Sequence, residues 1–380
     1  MKPIIKWTGG KSREIKEIEK FIPKNFSRYI EPFLGGGAMF FHLQPEQAAI
    51  NDISKNLMDF YRLIQNQDDT LRQLLVCYND SFTSLIKHLR VNSDVLLSSY
   101  REYVVTHSEN GISQGLKPVF DSMPDSINTD FYEQLLIDKI QFDKMLELSV
   151  IDKYKRTDNN EKKKLFFQNS SVIDNLITGF TSGYYLYFRK VFNDINLGKI
   201  KIPEKMHPLQ YRIANFYFIR EYCYGSMFRY NKEGEFNIPY GGISYNKKNL
   251  QAKIDNMFNQ NISVLFENAQ IVNEDFEKFI NELSLTEEDF MFLDPPYDTV
   301  FSDYEGNAFT KEDQIRLANV LLNTKAQFIL VIKNTDFIYN LYSECDRLKI
   351  YDFDKTYTYN VKGRNNRDVK HLIITNLKVI

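Results

Sequence analysis

Short apolar runs separated by glycine and proline open this chain. Arg28-Tyr29-Ile30-Glu31-Pro32-Phe33 predicts a strand, Leu34-Gly35-Gly36-Gly37 a turn, and Ala38 to Leu43 the start of a helix. Ala48-Ala49-Ile50-Asn51-Asp52 predicts a second strand, followed by a helix from Leu57 to Ile64. Upstream, Ile15, Ile18, Phe21 and Ile22 recur at helical spacing over residues 13–22, and Pro23 ends that segment. Strand, turn, helix and strand in this sequence open a parallel α/β sheet.

The texture then changes. From about residue 67 to 218 the chain is polar and rich in Ser, Asn and Asp, with scattered helical periodicity at Leu71, Leu74 and Leu75 and again at Leu135, Leu136, Ile140 and Met145. This predicts a mainly helical insertion. The α/β pattern resumes late. Phe290-Met291-Phe292-Leu293-Asp294 predicts a buried strand, Thr310 to Leu322 a helix with Asp313 three residues after its Thr310 cap, and Phe328 to Ile332 another buried strand. Asp336 to Tyr342 predicts a short helix, and residues 347–353 and 371–377 two last strands around a basic loop, Lys362-Gly363-Arg364-Asn365-Asn366-Arg367. The expected organisation is one α/β domain made of residues 1–66 and 268–380, interrupted by an inserted region at 67–267.

Composition narrows the class. A hydrophobic content of 43% with 24 Tyr and 30 Phe suits a real core, and no apolar run is long enough to span a bilayer. The first residues, Met1-Lys2-Pro3-Ile4-Ile5-Lys6, lack the apolar stretch of a signal peptide. Cys77, Cys223 and Cys345 have neither paired nor metal-ligand spacing, so the expectation is free thiols, no metal and a cytoplasmic setting. The net charge of −2 argues against a protein that coats nucleic acid through charge alone. Any basic contact surface must be local.

Four segments carry candidate chemistry. Asp294-Pro295-Pro296-Tyr297 follows a buried strand, at the end where open α/β sheets place their ligands. The prolines remove backbone donors and leave carbonyls without a competing amide. A carboxylate and a proline carbonyl form a pair of acceptors suited to both hydrogens of a planar –NH2 group, and Tyr297 offers a face for a flipped base. The alternative is an ordinary turn that ends a strand. Phe33-Leu34-Gly35-Gly36-Gly37 would let a ligand approach a helix N-terminus, and Asp52 ends the next strand, where ribose hydroxyls are commonly bound. Taken singly, each could equally be a plain turn or a surface carboxylate. Position 40 is Phe rather than Gly, which disfavours a dinucleotide fingerprint, and position 5 is Ile rather than Gly, which removes a phosphate-binding loop at Gly9-Gly10-Lys11-Ser12. Asn273-Glu274-Asp275-Phe276 follows the apolar stretch Ala269 to Val272 and offers either a carboxylate and an aromatic wall for a purine or a polar helix start.

Together, Lys6-Trp7-Thr8-Gly9-Gly10-Lys11, Tyr29 to Gly37, Asn51-Asp52 and Asp294 to Tyr297 resemble the Dam-type DNA adenine methyltransferases, in the alpha order of motifs, with the cofactor motif first. The resemblance covers roughly residues 1–66 and 219–380. It implies a Rossmann-like sheet that binds S-adenosylmethionine, with the helical insertion serving DNA recognition. By position it implies cofactor contacts from Trp7, Lys11, Phe33, Gly35, Gly37, Asp52, Asp275, Phe276 and Asp294, and a grip on the target base by Asp294, Pro295, Pro296 and Tyr297. Phe228 to Gly241 is similar to that family's recognition hairpin, which implies DNA contacts from Arg229 and Asn231 and a wedge from Tyr224 and Met227. Gly225-Ser226 stands there in place of an expected Asn-Gly. Arg364, Arg367 and Lys370 are candidates for phosphate contacts.

The implied reaction is direct transfer of a methyl group to the exocyclic amine of adenine in double-stranded DNA, without a covalent intermediate. Val76, Tyr222 and Glu344 precede the three cysteines, so none has the proline that typically precedes the nucleophile of enzymes acting on the cytosine ring carbon. Asp rather than Ser before Pro-Pro-Tyr favours adenine over the amine of cytosine, by the same resemblance. The rival from another class is a non-catalytic binder that kept the fold. A cognate restriction endonuclease is an implied partner, not necessarily in stable complex.

Overall fold

The computed structural model describes residues 1–7, 11, 14–127, 129–163, 168–296, 309–356 and 368–377. Seven strands form one sheet: β1 (Arg28–Glu31), β2 (Ala48–Asn51), β3 (Ala269–Val272), β4 (Asp289–Leu293), β5 (Gln327–Lys333), β6 (Lys349–Thr356) and β7 (Asp368–Thr375). Their order is β3-β2-β1-β4-β5-β7-β6. The first five are parallel, with Tyr29 beside both Ala48 and Phe290, and β7 runs antiparallel between β5 and β6. β4 is buried along its whole length and β5 over its five central residues, which is why both read as unbroken apolar runs. β1 stops at Glu31, because Pro32 has no N–H to continue a ladder.

Helices cover the sheet where the spacing predicts them. Lys55–Gln65 begins at Ser54, whose hydroxyl accepts from the Leu57 amide, and Lys311–Asn323 begins with a reciprocal capping box between Thr310 and Asp313. The core between the second of these helices and the sheet joins Ile30, Met291, Leu293, Phe328, Leu330 and Leu317. Two segments differ from the expected pattern. The first helix is only Ile15–Ile18 and tightens into a 3-10 turn at Glu19–Phe21, the usual relaxation of a short helix end close to a proline. Ala269–Val272, read as an apolar stretch, is an edge strand paired in register with β2.

The chain divides into two compact units, residues 1–66 with 259–380 and residues 67–258. The second is helical. Its long members are Asp69–Val91, Lys139–Lys162, Asn169–Asn196 and Pro208–Tyr222. The polar texture of this region has a structural reason. On Lys139–Lys162 the buried residues Phe142, Leu146, Val150 and Tyr154 recur every four positions, so one narrow stripe packs and the rest of the helix faces water. Gly183 lets Asn169–Asn196 pack close to that stripe, since a Cβ there would lie 2.8 Å from the Leu146 Cα. Tyr78, Phe82, Tyr184, Phe188 and Phe218 form an aromatic interior, with Tyr78 stacked on Phe218 at 4.8 Å. After Pro208–Tyr222, two antiparallel bridges, Cys223 with Tyr240 and Tyr230 with Phe236, close a hairpin. No helix among the described residues is long and apolar enough to cross a membrane.

Candidate active site

The carboxyl ends of β1, β2 and β4 lie side by side, and Phe33, Gly35, Gly37, Asp52 and Asp294 follow them. After β1 the chain turns on itself: the Leu34 amide donates to the Asn51 carbonyl at 2.9 Å, and the Gly37 amide donates to the Leu34 carbonyl at 2.7 Å. Gly35 and Gly37 both have left-handed backbones, φ +50° and +67°. Trp7 packs on this turn. A Cβ on Gly35 would lie 2.8 Å from the Trp7 Cδ1, so only glycine fits beneath the indole.

Asp52 holds the turn from the neighbouring strand. One carboxylate oxygen accepts from the Gly35 amide at 2.8 Å and the other from the Ser54 amide at 2.9 Å. Burial lifts the Asp52 carboxyl above its ordinary range, and those two amides pull against that shift by favouring the charged form. The Tyr61 hydroxyl donates to the Gly35 carbonyl at 3.0 Å. Asn51 ties three segments together, donating to the carbonyls of Pro32 and Glu274 and accepting from the Glu274 amide. Its place in the Asn51-Asp52 pair was visible in the sequence; the stitching role was not.

Beside the turn stands an aromatic wall. Phe33 and Phe276 approach to 5.3 Å between ring centroids, and Phe309 contacts both, at 5.6 and 5.5 Å. Phe309 carries no motif and was missed. Asp275 caps the Phe276–Glu282 helix by accepting from the Glu277 and Lys278 amides, so the polar-helix-start reading describes it as well as the purine-wall reading does. Its carboxylate also pairs with Arg316 at 2.6 Å.

Asp294 leaves β4 into this space with its side chain 19% exposed, paired at 2.6 Å with the ammonium of Lys11, which is 2% exposed. Lys11 also lies 3.9 Å from Glu14, and Glu14 lies 3.9 Å from the buried His371 of β7. Behind Asp294, Glu31 is buried and accepts from the Tyr29 hydroxyl at 2.8 Å. Burial raises the Glu31 carboxyl well above the ordinary range, the Tyr29 bond opposes this, and the negative charge of Asp294 adds to it.

That shift has a measurable consequence. The folded chain keeps the Glu31 proton over a pH range in which the unfolded chain has lost it, so this group's contribution to stability falls as pH rises through that range. Glu31→Gln retains an acceptor for Tyr29 and removes the titration. Its gain in Tm over wild type is expected to be absent near pH ~4 and to grow toward pH ~8. A difference that stays flat across that range in calorimetry would refute the assignment.

The structure therefore brings Trp7 to Gly35, Gly35 to Asp52, Phe33 to Phe276 and Lys11 to Asp294. Tyr297, Arg364 and Arg367 lie outside the described residues. In the helical unit, Tyr224 and Arg229 are exposed, and Tyr224 opens a turn in which Gly225 and Ser226 both have positive φ. The Asn231 side chain organises the hairpin turn by accepting from the Glu233 and Glu235 amides. Lys370 pairs with Asp352 at 2.6 Å.

Five parallel strands with a sixth position reversed, in the order described, and a glycine turn and Asp-Pro-Pro turn at their carboxyl ends define a Rossmann-like methyltransferase. The family model of the D12 class N6 adenine-specific DNA methyltransferases matches residues 7–136 and 146–359, and the chain belongs to that family. Members transfer methyl groups from S-adenosylmethionine to adenine in DNA. The chain is 27% identical over 382 residues to the type II methyltransferase M.CviBI of Paramecium bursaria Chlorella virus NC1A, covering 99% of this chain and 100% of that one. It is also 27% identical over 399 residues to the type II methyltransferase M.MjaIII of Methanocaldococcus jannaschii, covering 99% of each. A DNA adenine methylase of Vibrio cholerae is 21% identical over 374 residues, which span 96% of this chain and 92% of that relative.

Proposed function

We propose that Asp294 and the Pro295 carbonyl grip the target adenine, and that the glycine turn with its neighbours holds S-adenosylmethionine. The observation that carries this reading is the juxtaposition of the two turns at the ends of the adjacent strands β1 and β4, with the ammonium of the buried Lys11 on the Asp294 carboxylate. The cofactor suits the residues present. Asp52 offers a carboxylate at the end of β2 for ribose hydroxyls, Phe33 and Phe276 a wall for the adenine ring with Asp275 at its edge, and Trp7, Gly35 and Gly37 a close approach to backbone. When bound, the cofactor supplies an electrophilic methyl on a cationic sulfur.

The chain's part in the reaction is to hold the nucleophile. Asp294 and the Pro295 carbonyl accept the two N–H bonds of the adenine amine. That draws the nitrogen lone pair out of the ring and aims it in line at the methyl carbon. The bound cofactor would supply the methyl group to that nitrogen, and Asp294 or water would take the proton the amine sheds. Positioning and exclusion of water supply most of the rate. Lys11 holds the Asp294 carboxylate in place through their 2.6 Å contact, and Tyr297 stacks on the flipped base.

Residues 67–258 read the target sequence. Tyr224 and Met227 wedge into the duplex, Arg229 and Asn231 contact it at the hairpin, and Arg364 and Arg367 hold phosphate. The full-length similarity to two type II methyltransferases supports a restriction–modification setting with a cognate endonuclease, and the similarity to a DNA adenine methylase supports a solitary methylase. In both settings the enzyme acts in the cytoplasm.

Labelled S-adenosylmethionine, unmethylated genomic DNA and nucleoside digestion test the reading. The expected product is labelled N6-methyl-2′-deoxyadenosine, and mapping the modified sites gives the target. Label transferred at wild-type rate by Asp294→Ala would overturn the assignment of the grip.

A further inference from the structure

The helix Lys311–Asn323 meets the site at two places. Gln314, fully buried, donates its amide to the Pro296 carbonyl at 3.2 Å. Two residues on, Arg316 fans out to Asp275 at 2.6 Å, Glu277 at 2.7 Å and Asp313 at 2.8 Å, with its guanidinium 4.8 Å from the Phe276 ring centre. One contact touches the turn assigned to the amine, the other the wall assigned to the cofactor's adenine.

The first contact matters because of what the turn lacks. Pro295 and Pro296 have no N–H, so the peptide planes that follow β4 cannot be braced by donors of their own. The orientation of the Pro295 carbonyl depends on the neighbouring plane, and the Gln314 amide fixes that plane from outside. Gln314 does this at a cost to the fold: its Oε1 is buried with no hydrogen-bond partner among the described residues. An unmet buried acceptor is unfavourable. A side chain kept only for packing would gain by being apolar.

The second contact ties the same helix to Asp275, the residue that caps Phe276–Glu282. Arg316 thereby sets the height of the Phe276 ring relative to the helix that carries Gln314.

We propose that Lys311–Asn323 is a strut between the two halves of the site, in which Gln314 is a positioning residue for the methyl-accepting amine and Arg316 a positioning residue for the cofactor. This rests on the site assignment given under Proposed function. The two side chains should then have opposite kinetic signatures although they lie two positions apart on one helix.

The test is steady-state and single-turnover methylation with Gln314→Met, Gln314→Leu and Arg316→Met, beside Asp294→Ala. Gln314→Met is expected to lower the single-turnover rate by about 10–100-fold, the scale of a small misplacement of reacting groups. Its KM for S-adenosylmethionine should stay within about twofold of wild type, and its Tm should be unchanged or raised, since the unmet acceptor is gone. Gln314→Leu serves the same purpose if the longer side chain packs badly. Arg316→Met is expected to raise that KM by about tenfold with kcat nearly intact. A Gln314 variant with a wild-type rate, or one that loses rate and Tm together, would overturn the strut. If Asp294→Ala also turned over normally, the failure would lie in the site assignment itself; an inactive Asp294→Ala beside a fully active Gln314→Met would sink the strut alone.

Discussion

Asp294→Asn is expected to lower kcat by about 10³-fold while S-adenosylmethionine still raises the Tm of the protein. Asparagine keeps the shape of the side chain but loses the charge, and its amide face presents donors where the adenine amine needs acceptors. Removing one preorganised hydrogen-bonding group at a reacting centre typically costs 10²–10³ in kcat, on the order of 3–4 kcal/mol. A second effect travels with it. Lys11 is 2% exposed and loses the charge of its nearest carboxylate, with Glu14 left at 3.9 Å. Breaking a buried pair from one side costs about 3–5 kcal/mol, and the lower end applies because Asp294 is partly open to water. Burst kinetics and calorimetry on the same preparation separate the two effects. A rate within tenfold of wild type would exclude Asp294 as the acceptor of the amine.

Asp52→Ala is expected to weaken S-adenosylmethionine binding by about 100-fold or more. The side chain accepts the Gly35 and Ser54 amides, and in the proposed cofactor site the same carboxylate serves the ribose. Each lost hydrogen bond to a charged acceptor is worth about 1.5–3 kcal/mol. Without the carboxylate, the Gly35 turn keeps the Tyr61 hydroxyl on its carbonyl but loses the brace on its amide, beneath the Trp7 indole. Asp52→Asn keeps acceptor capacity on one oxygen and should fall between wild type and the alanine variant. Titration calorimetry decides the matter: a Kd for Asp52→Ala within about threefold of wild type would remove Asp52 from the cofactor site.

The parts of this molecule that were legible in the sequence are those where one physical rule dominates. Buried parallel strands need unbroken apolar runs, so β4 and β5 were visible. Turns with positive φ favour glycine, so Gly35 and Gly37 marked the loop. Amphipathic stripes gave the helical character of residues 67–218, although only one residue in four on Lys139–Lys162 carries it. What stayed hidden depends on residues far apart in the chain. Phe309 belongs to the aromatic wall only because Lys311–Asn323 begins beside Phe276, and the capping box at Thr310 and Asp313 was the single nearby signal. Gln314 and Arg316 looked like ordinary helix residues. His371 sits in a strand whose apolar neighbours Leu372, Ile373 and Ile374 drew the eye to packing. Glu31 gained its setting from burial, the Tyr29 hydroxyl and the charge of the distant Asp294. β3 is four residues long, too short for periodicity to distinguish from a loop.

The place of the insertion also governs how the enzyme is made. β1 must pair with β4 across 261 positions, Tyr29 with Phe290, and β2 with β3 across 221, Ala48 with Ala269. A ribosome that has just released β2 has about 200 further residues to add, which takes roughly 10–40 s at ordinary translation speed. Through that interval two apolar strands have only each other to pair with. Residues 67–258, built largely from helices that contact their near neighbours, have what they need to fold while they wait. The nascent chain thus completes its helical unit before its sheet can exist, and chaperone demand should peak between the emergence of β2 and that of β4.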